Sequence, residues 1–175
     1  MILINTGNGK GKTTASLCVA MRALGYGKKV AMIQFIKGPW KSGEDLFAKE
    51  CNIPASKFRI IKTGKGFVNL PGDKLPFKEH KKAAEEGLQK AAELIVSKKY
   101  DLVILDEINN AVELKLVSAK SVTDLLKKIP EQVDVILTGR NAPKSFITLA
   151  DTVTEMNEVK HAFSKGIKAK KGVDF

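Results

Sequence analysis

The chain has little of what staples or metallates a small protein: its 175 residues include two cysteines and two histidines. Cys18 and Cys51 form neither a disulfide framework nor a metal motif, and His80 and His161 lack ligand spacing, so no zinc site is expected. Cys18 falls within a helical pattern, where a small buried thiol is expected. Aromatic residues make up 6% of the chain, with Trp40 the one tryptophan, which argues against the stacked aromatic surfaces of RNA-binding modules. No apolar run approaches the ~18 residues of a membrane span. The first run, Ile2 to Ile4, is short and lacks the charged lead of a signal peptide, so a cytoplasmic location without membrane contact is expected. Acidic residues are scarce too, 19 against 30 lysines and arginines, for a net charge of +11. The lysines lie in scattered pairs such as Lys28-Lys29, Lys98-Lys99 and Lys127-Lys128. Solvated helix faces explain such pairs better than a nucleic-acid surface does, and a small polyanionic ligand would also profit from the field.

What is present is a length suited to one domain, residues 1–175, able to bury roughly 70% of its unfolded surface. Its strongest signal comes early, at Thr6-Gly7-Asn8-Gly9-Lys10-Gly11-Lys12-Thr13-Thr14. The apolar run Ile2-Leu3-Ile4 precedes it and the periodic run Ala15 to Leu24 follows, which is the order strand, glycine-rich loop, helix. Glycines let successive N–H groups converge on phosphate oxygens, and the helix start adds its unpaired N–H groups and positive dipole end. Lys12 is placed to meet a terminal phosphate and Thr13 to offer a hydroxyl to Mg²⁺. The usual leading glycine of such loops is Thr6 here, which makes this loop a variant. Bound ATP or GTP is expected.

Lys29 to Ile36 is an apolar run with Gln34 its one uncharged polar residue, the look of a strand buried on both faces of a parallel sheet. Lys37 to Gly43 breaks the pattern; its glycines and Trp40 fit either a ligand-facing segment or a plain connection. A helix over Glu44–Cys51, a strand over Phe58–Ile61 and a long helix over Phe77–Lys98 follow. Between the last two, the glycine-rich stretch Lys62 to Gly72 is long for a mere connection. Tyr100 to Glu107 reads as a buried strand presenting Asp106 and Glu107 at its C-terminal end, where phosphate-loop proteins hold Mg²⁺. Helices are expected over Ile108–Leu116, over Val122–Ile129 behind a Ser121-x-x-Asp124 cap, and from Pro143 to Ala150. Strands are expected over Val133–Thr138 and Val153–Met156. Alternating strands and helices predict an α/β fold of the P-loop NTPase (RecA-like) kind, a mainly parallel sheet with helices on both faces. All the polar motifs then fall at the strands' C-terminal ends, where such sheets bind ligands.

The residues by themselves stop at a nucleoside-triphosphate enzyme with an open acceptor; a kinase, a nucleic-acid-stimulated ATPase and a non-catalytic nucleotide or corrinoid carrier all share these features. Taken in order, Thr6 to Thr14, Gln34-Phe-Ile-Lys-Gly38, Leu105-Asp-Glu-Ile108, Leu137-Thr-Gly-Arg-Asn-Ala-Pro143, and Ala150 to Met156 with Val159-Lys-His161 closely resemble the CobA-type ATP:corrinoid (cob(I)alamin) adenosyltransferases across essentially the whole chain. The resemblance implies that a corrinoid reduced to Co(I) attacks the 5′ carbon of ATP and releases tripolyphosphate. It implies ATP contacts from Thr6, Gly7, Asn8, Gly9, Lys10, Gly11, Lys12, Thr13, Thr14 and Arg140, with Lys12 and Thr13 catalytic and the ATP reversed relative to ordinary phosphate-loop enzymes. Thr13 with Asp106 or Glu107 would hold Mg²⁺, Glu107 being favoured. Gly66, Phe67 and Asn69 would face the corrinoid, with Asn69 standing where relatives carry tryptophan. A flavodoxin-like or flavin reductant and a homodimer are further implications. Relatives often carry an N-terminal extension that caps the site, whereas this sequence begins at its first strand.

Overall fold

In a computed structural model, residues 1–66, 68–70 and 72–174 are described. The strands are β1 (Ile2–Thr6), β2 (Val30–Gln34), β3 (Phe58–Lys62), β4 (Leu102–Asp106), β5 (Asp134–Thr138) and β6 (Thr152–Glu155). They form one six-stranded sheet in the order β3-β2-β4-β5-β1-β6, and every pairing is parallel. The helices are α1 (Lys12–Gly25), α2 (Gly43–Glu50), α3 (Phe77–Val96), α4 (Ile108–Glu113), α5 (Ala119–Leu126) and α6 (Lys144–Leu149).

Strand alternation sorts the core into two layers. Val30 and Met32 of β2, Leu102 and Ile104 of β4, and Ile136 of β5 pack beneath Leu17, Ala20 and Ala23 of α1 and Ala48 of α2. Their neighbours Ala31, Ile33, Val103, Leu105, Val135 and Leu137 face α3 to α6 through Ala84, Ala91, Ile95, Ile108, Val122, Leu125 and Phe146. Because both faces are covered, β2 and β4 are buried at every position, which is why they read as unbroken apolar runs.

Two expectations need correction. The α5 cap is Ser118, whose Oγ accepts from the Ser121 N–H at 3.0 Å, so the helix begins earlier than the Ser121-x-x-Asp124 pattern suggested. Lys120 and Ser121 carry no apolar signal, yet they fit an exposed first turn, and hydrophobic periodicity is blind to such a turn. Cys18 is exposed, not buried; the face of α1 against the sheet is carried by Ser16 and Ala20 beside Leu17 and Ala23.

Candidate active site

The chain leaves β1 into the loop and enters α1 at Lys12, with Gly7 at φ 93° and Gly11 at φ 115° making turns that disfavour any side chain. The loop is shaped from outside as well. The Gly9 N–H donates to the Met156 carbonyl at 2.6 Å, and the Met156 N–H donates to the Thr6 carbonyl at 2.8 Å. A Cβ on Gly7 or Gly9 would lie 2.4 or 2.7 Å from that Met156 oxygen. Thr6 also has a task of its own: its hydroxyl accepts from the Ala142 N–H at 3.2 Å, tying β1 to the segment after β5. Lys12 is buried, and its ammonium donates to the Gly7 and Gly9 carbonyls, each at 2.7 Å. Burial lowers its pKa, with Arg140 adding to the effect and Glu107 opposing it.

Asp106 is the polar centre. It is fully buried at the end of β4, and its Oδ1 accepts from Thr13 Oγ1 and Thr138 Oγ1, both at 2.8 Å. Its Oδ2 faces Gln34 Nε2 at 3.3 Å and Lys37 Nζ at 3.4 Å. Glu44, on α2, accepts from the same two groups, from Gln34 at 3.0 Å and Lys37 at 2.9 Å. Burial pushes the Glu44 carboxyl up, but the hydrogen bond and charge of Lys37 outweigh it and hold the group at about 2. The register pairs Gln34 with Asp106 across the sheet, so this cluster is set by strand alignment.

Glu107 follows Asp106 in a left-handed conformation, φ 64°, a strained state of about 1–3 kcal/mol for a non-glycine residue. Its N–H donates to Thr138 Oγ1 at 2.9 Å. Burial, then the charge of Asp106, raise its pKa against the pull of Lys12, Lys37 and Arg140. The site thus brings together Lys12, Thr13, Asp106, Glu107 and the charge of Arg140. Gly7 and Gly9 are buried within the loop, while Asn8, Lys10 and Thr14 are exposed at its rim; Lys10 pairs there with Asp174.

Of the Gly66–Asn69 stretch, Gly66 lies further along the same edge, against Trp40. Gly66 is buried at φ 109°, Asn69 is exposed at φ 54°, and Phe67 lies outside the described residues. Asp73 anchors the stretch by accepting from the Asn69 and Leu75 N–H groups, at 2.9 and 3.0 Å, and by facing buried His80 of α3 at 3.0 Å. Sequence reasoning gave Lys37 and Glu44 no role; its available signal was Gln34, a polar residue inside an apolar strand. Gln34 Oε1 is buried without a hydrogen-bond partner among the described residues.

A parallel sheet with a glycine-rich loop after β1, and with a lysine, a threonine and a strand-end carboxylate converging on it, defines a phosphate-loop nucleotide-binding protein of the α/β class. A KaiC-like protein of Pyrococcus horikoshii has the same fold, with a TM-score of 0.56 at 19% identity over 92% of this chain and 74% of that one. The chain belongs to the ATP:corrinoid adenosyltransferase family (BtuR/CobO/CobP), which it matches over residues 1–175. It is 38% identical to the corrinoid adenosyltransferases of Escherichia coli K12 and Pseudomonas aeruginosa, over its whole length and 85% and 83% of theirs. It is 36% identical to the corrinoid adenosyltransferase CobA of Salmonella typhimurium, of which it covers 85%.

Proposed function

We propose that residues 1–175 act as one adenosyltransferase domain that moves the 5′-deoxyadenosyl group of ATP to the Co(I) centre of a reduced corrinoid. One observation carries the reading beyond family membership: the Thr13 hydroxyl and the Asp106 carboxylate lie 2.8 Å apart at the mouth of the phosphate loop. Two adjacent oxygen donors at a helix start suit Mg²⁺, which takes one or two carboxylates and completes its shell with phosphates and water. Thr13 and Asp106 would hold it, with Glu107 within reach of the same charge cluster. Bound there, Mg²⁺ would offset charge on the triphosphate.

The corrinoid is substrate and brings its own nucleophile, so no protein base is required. The cobalt electron pair forms the bond to C5′, the C5′–O bond breaks, and that bonding pair leaves on tripolyphosphate. The chain's part is to stabilise the leaving charge with the loop N–H groups, Lys12 and Lys10. Lys12 arrives prepared, held by two loop carbonyls, and the triphosphate would replace those partners with anionic oxygens. A flavodoxin-like or flavin reductant would supply the electron that generates Co(I), in the cytoplasm. Among the described residues no helix is long and apolar enough to cross a membrane. Exposed Val153, Val159, Phe163, Ile167 and Val173, all on the C-terminal segment, support a homodimer.

The test is anaerobic incubation with MgATP and chemically reduced cobalamin. A light-sensitive alkyl-cobalt product together with tripolyphosphate is expected. Orthophosphate without alkylation would return the protein to the generic phosphate-loop class.

A further inference from the structure

Trp40 is the chain's one tryptophan, and 62% of it is exposed, although an indole has more apolar area to gain from burial than almost any other side chain. Its place is nonetheless built. The ring lies on Gly38, where a Cβ would meet Cζ3 at 2.3 Å, and reaches Gly66, where a Cβ would meet Cη2 at 3.0 Å. The Trp40 carbonyl accepts from Lys62 Nζ at 2.5 Å, and the same ammonium pairs with Asp45 of α2 at 2.5 Å. Asp45 in turn closes the Ser42 capping box at the start of α2. A Cβ on Gly64 would lie 2.3 Å from the Ile36 carbonyl carbon, so the connections after β2 and β3 touch backbone to backbone. The indole therefore sits where two glycine-bearing connections meet.

That place is at the C-terminal ends of β2 and β3, on the ligand-binding edge of the sheet. The strand order puts β2 three strands from β1, about 14 Å from the phosphate loop at ~4.8 Å per strand. Asp106 of β4 and Lys37 lie between the two. A triphosphate anchored at the loop leaves the surface over β2 and β3 for the other substrate, a broad macrocycle whose flat faces are apolar. An exposed, positioned aromatic face is the side chain suited to such a surface.

We propose that the Trp40 indole, set on Gly38 and Gly66, forms part of the surface on which the corrin macrocycle lies. This rests on the adenosyltransferase reading. The glycines at positions 38 and 66 then serve the substrate by leaving the ring its room, and Lys62 serves it by holding the Trp40 backbone.

The experiment compares wild type, Trp40→Ala and Trp40→Phe in anaerobic steady-state kinetics, with cob(I)alamin and MgATP varied in turn. Equilibrium binding of cob(II)alamin in the presence of MgATP is measured alongside. Trp40→Ala should raise the KM for cob(I)alamin and the Kd for cob(II)alamin about tenfold, the scale of one lost aromatic contact. The KM for ATP and the melting temperature should stay near wild type, and Trp40→Phe should recover most of the loss. Corrinoid constants within about twofold of wild type in Trp40→Ala would overturn the inference. So would a parallel rise in the KM for ATP, which would put the indole under the nucleotide. A wild-type protein that turns over cob(I)alamin separates these failures from failure of the transferase reading, which would take the inference with it.

Discussion

Lys12 is the residue whose chemistry is most exposed to test. Its ammonium is desolvated and held by carbonyl oxygens, uncharged partners on which an anionic phosphate improves. Lys12→Ala should lower kcat/KM by at least about tenfold, because hydrogen bonds to charged groups contribute about 1.5–3 kcal/mol. Near-normal rates would remove Lys12 from the mechanism. Asp106 and Glu107 are separable by metal titration. Asp106 shares its Oδ1 with Thr13, whereas Glu107 enters through the charge cluster. Glu107→Gln should raise the Mg²⁺ concentration needed for half-maximal rate, and an unchanged titration would give the role to Asp106 alone. Adjacent carboxylates at the end of a buried strand were legible in the sequence. Which oxygen meets Thr13 was not, since that depends on the register of strands far apart in the chain.

At the scale of elements, the phosphate loop depends on the segment after β6. Gly9→Ala would place a Cβ 2.7 Å from the Met156 oxygen, closer than real contacts allow. ATP affinity should fall by an order of magnitude or more while far-ultraviolet circular dichroism keeps its wild-type form; unchanged affinity would show that the loop and Met156 separate at little cost. The α2 helix is tied to the site by Glu44. Its carboxyl is held at about 2 against an ordinary 4.5, so its stabilising contribution is full above pH 4.5 and is lost as pH falls toward 2. The melting-temperature advantage of wild type over Glu44→Gln should therefore be present at pH 6 and shrink steadily below 4.5. An advantage independent of pH would mean that Glu44 acts through packing and not through charge. Helices with an apolar stripe, α3 above all, were legible from periodicity. The start of α5 was not, because Ser118 and the first turn are marked only by hydrogen bonds.

At the scale of the molecule, the parallel order and two-sided burial followed from the continuous apolar runs of β2, β4 and β5. The strand sequence β3-β2-β4-β5-β1-β6 is a fact of pairing that no local pattern encodes. The same limit applies to Lys37 and Glu44, which are ten or fewer residues from Gln34 in sequence yet gain meaning only beside Asp106, 72 residues on. The basic charge is a whole-molecule property too. With +11 net, attraction of MgATP and tripolyphosphate should weaken as ionic strength rises. The association rate of MgATP in stopped flow should fall severalfold between low and physiological salt, and salt-independent association would leave the lysines a role in solubility only.

The position of β1 has a consequence for how the protein comes into being. Both neighbours of β1, the strands β5 and β6, are contributed by residues 134–155. Of the sheet's six strands the earliest made, β1, thus finds its place only after β5 has been made. At 5–20 residues per second it waits on the order of ten seconds for its partners. Contacts of such separation also make for slow folding. During that interval a nascent chain displays a complete Gly-Lys-Thr sequence without the Met156 backbone that shapes it, so the loop takes its full shape only after β6 and Met156 have been made.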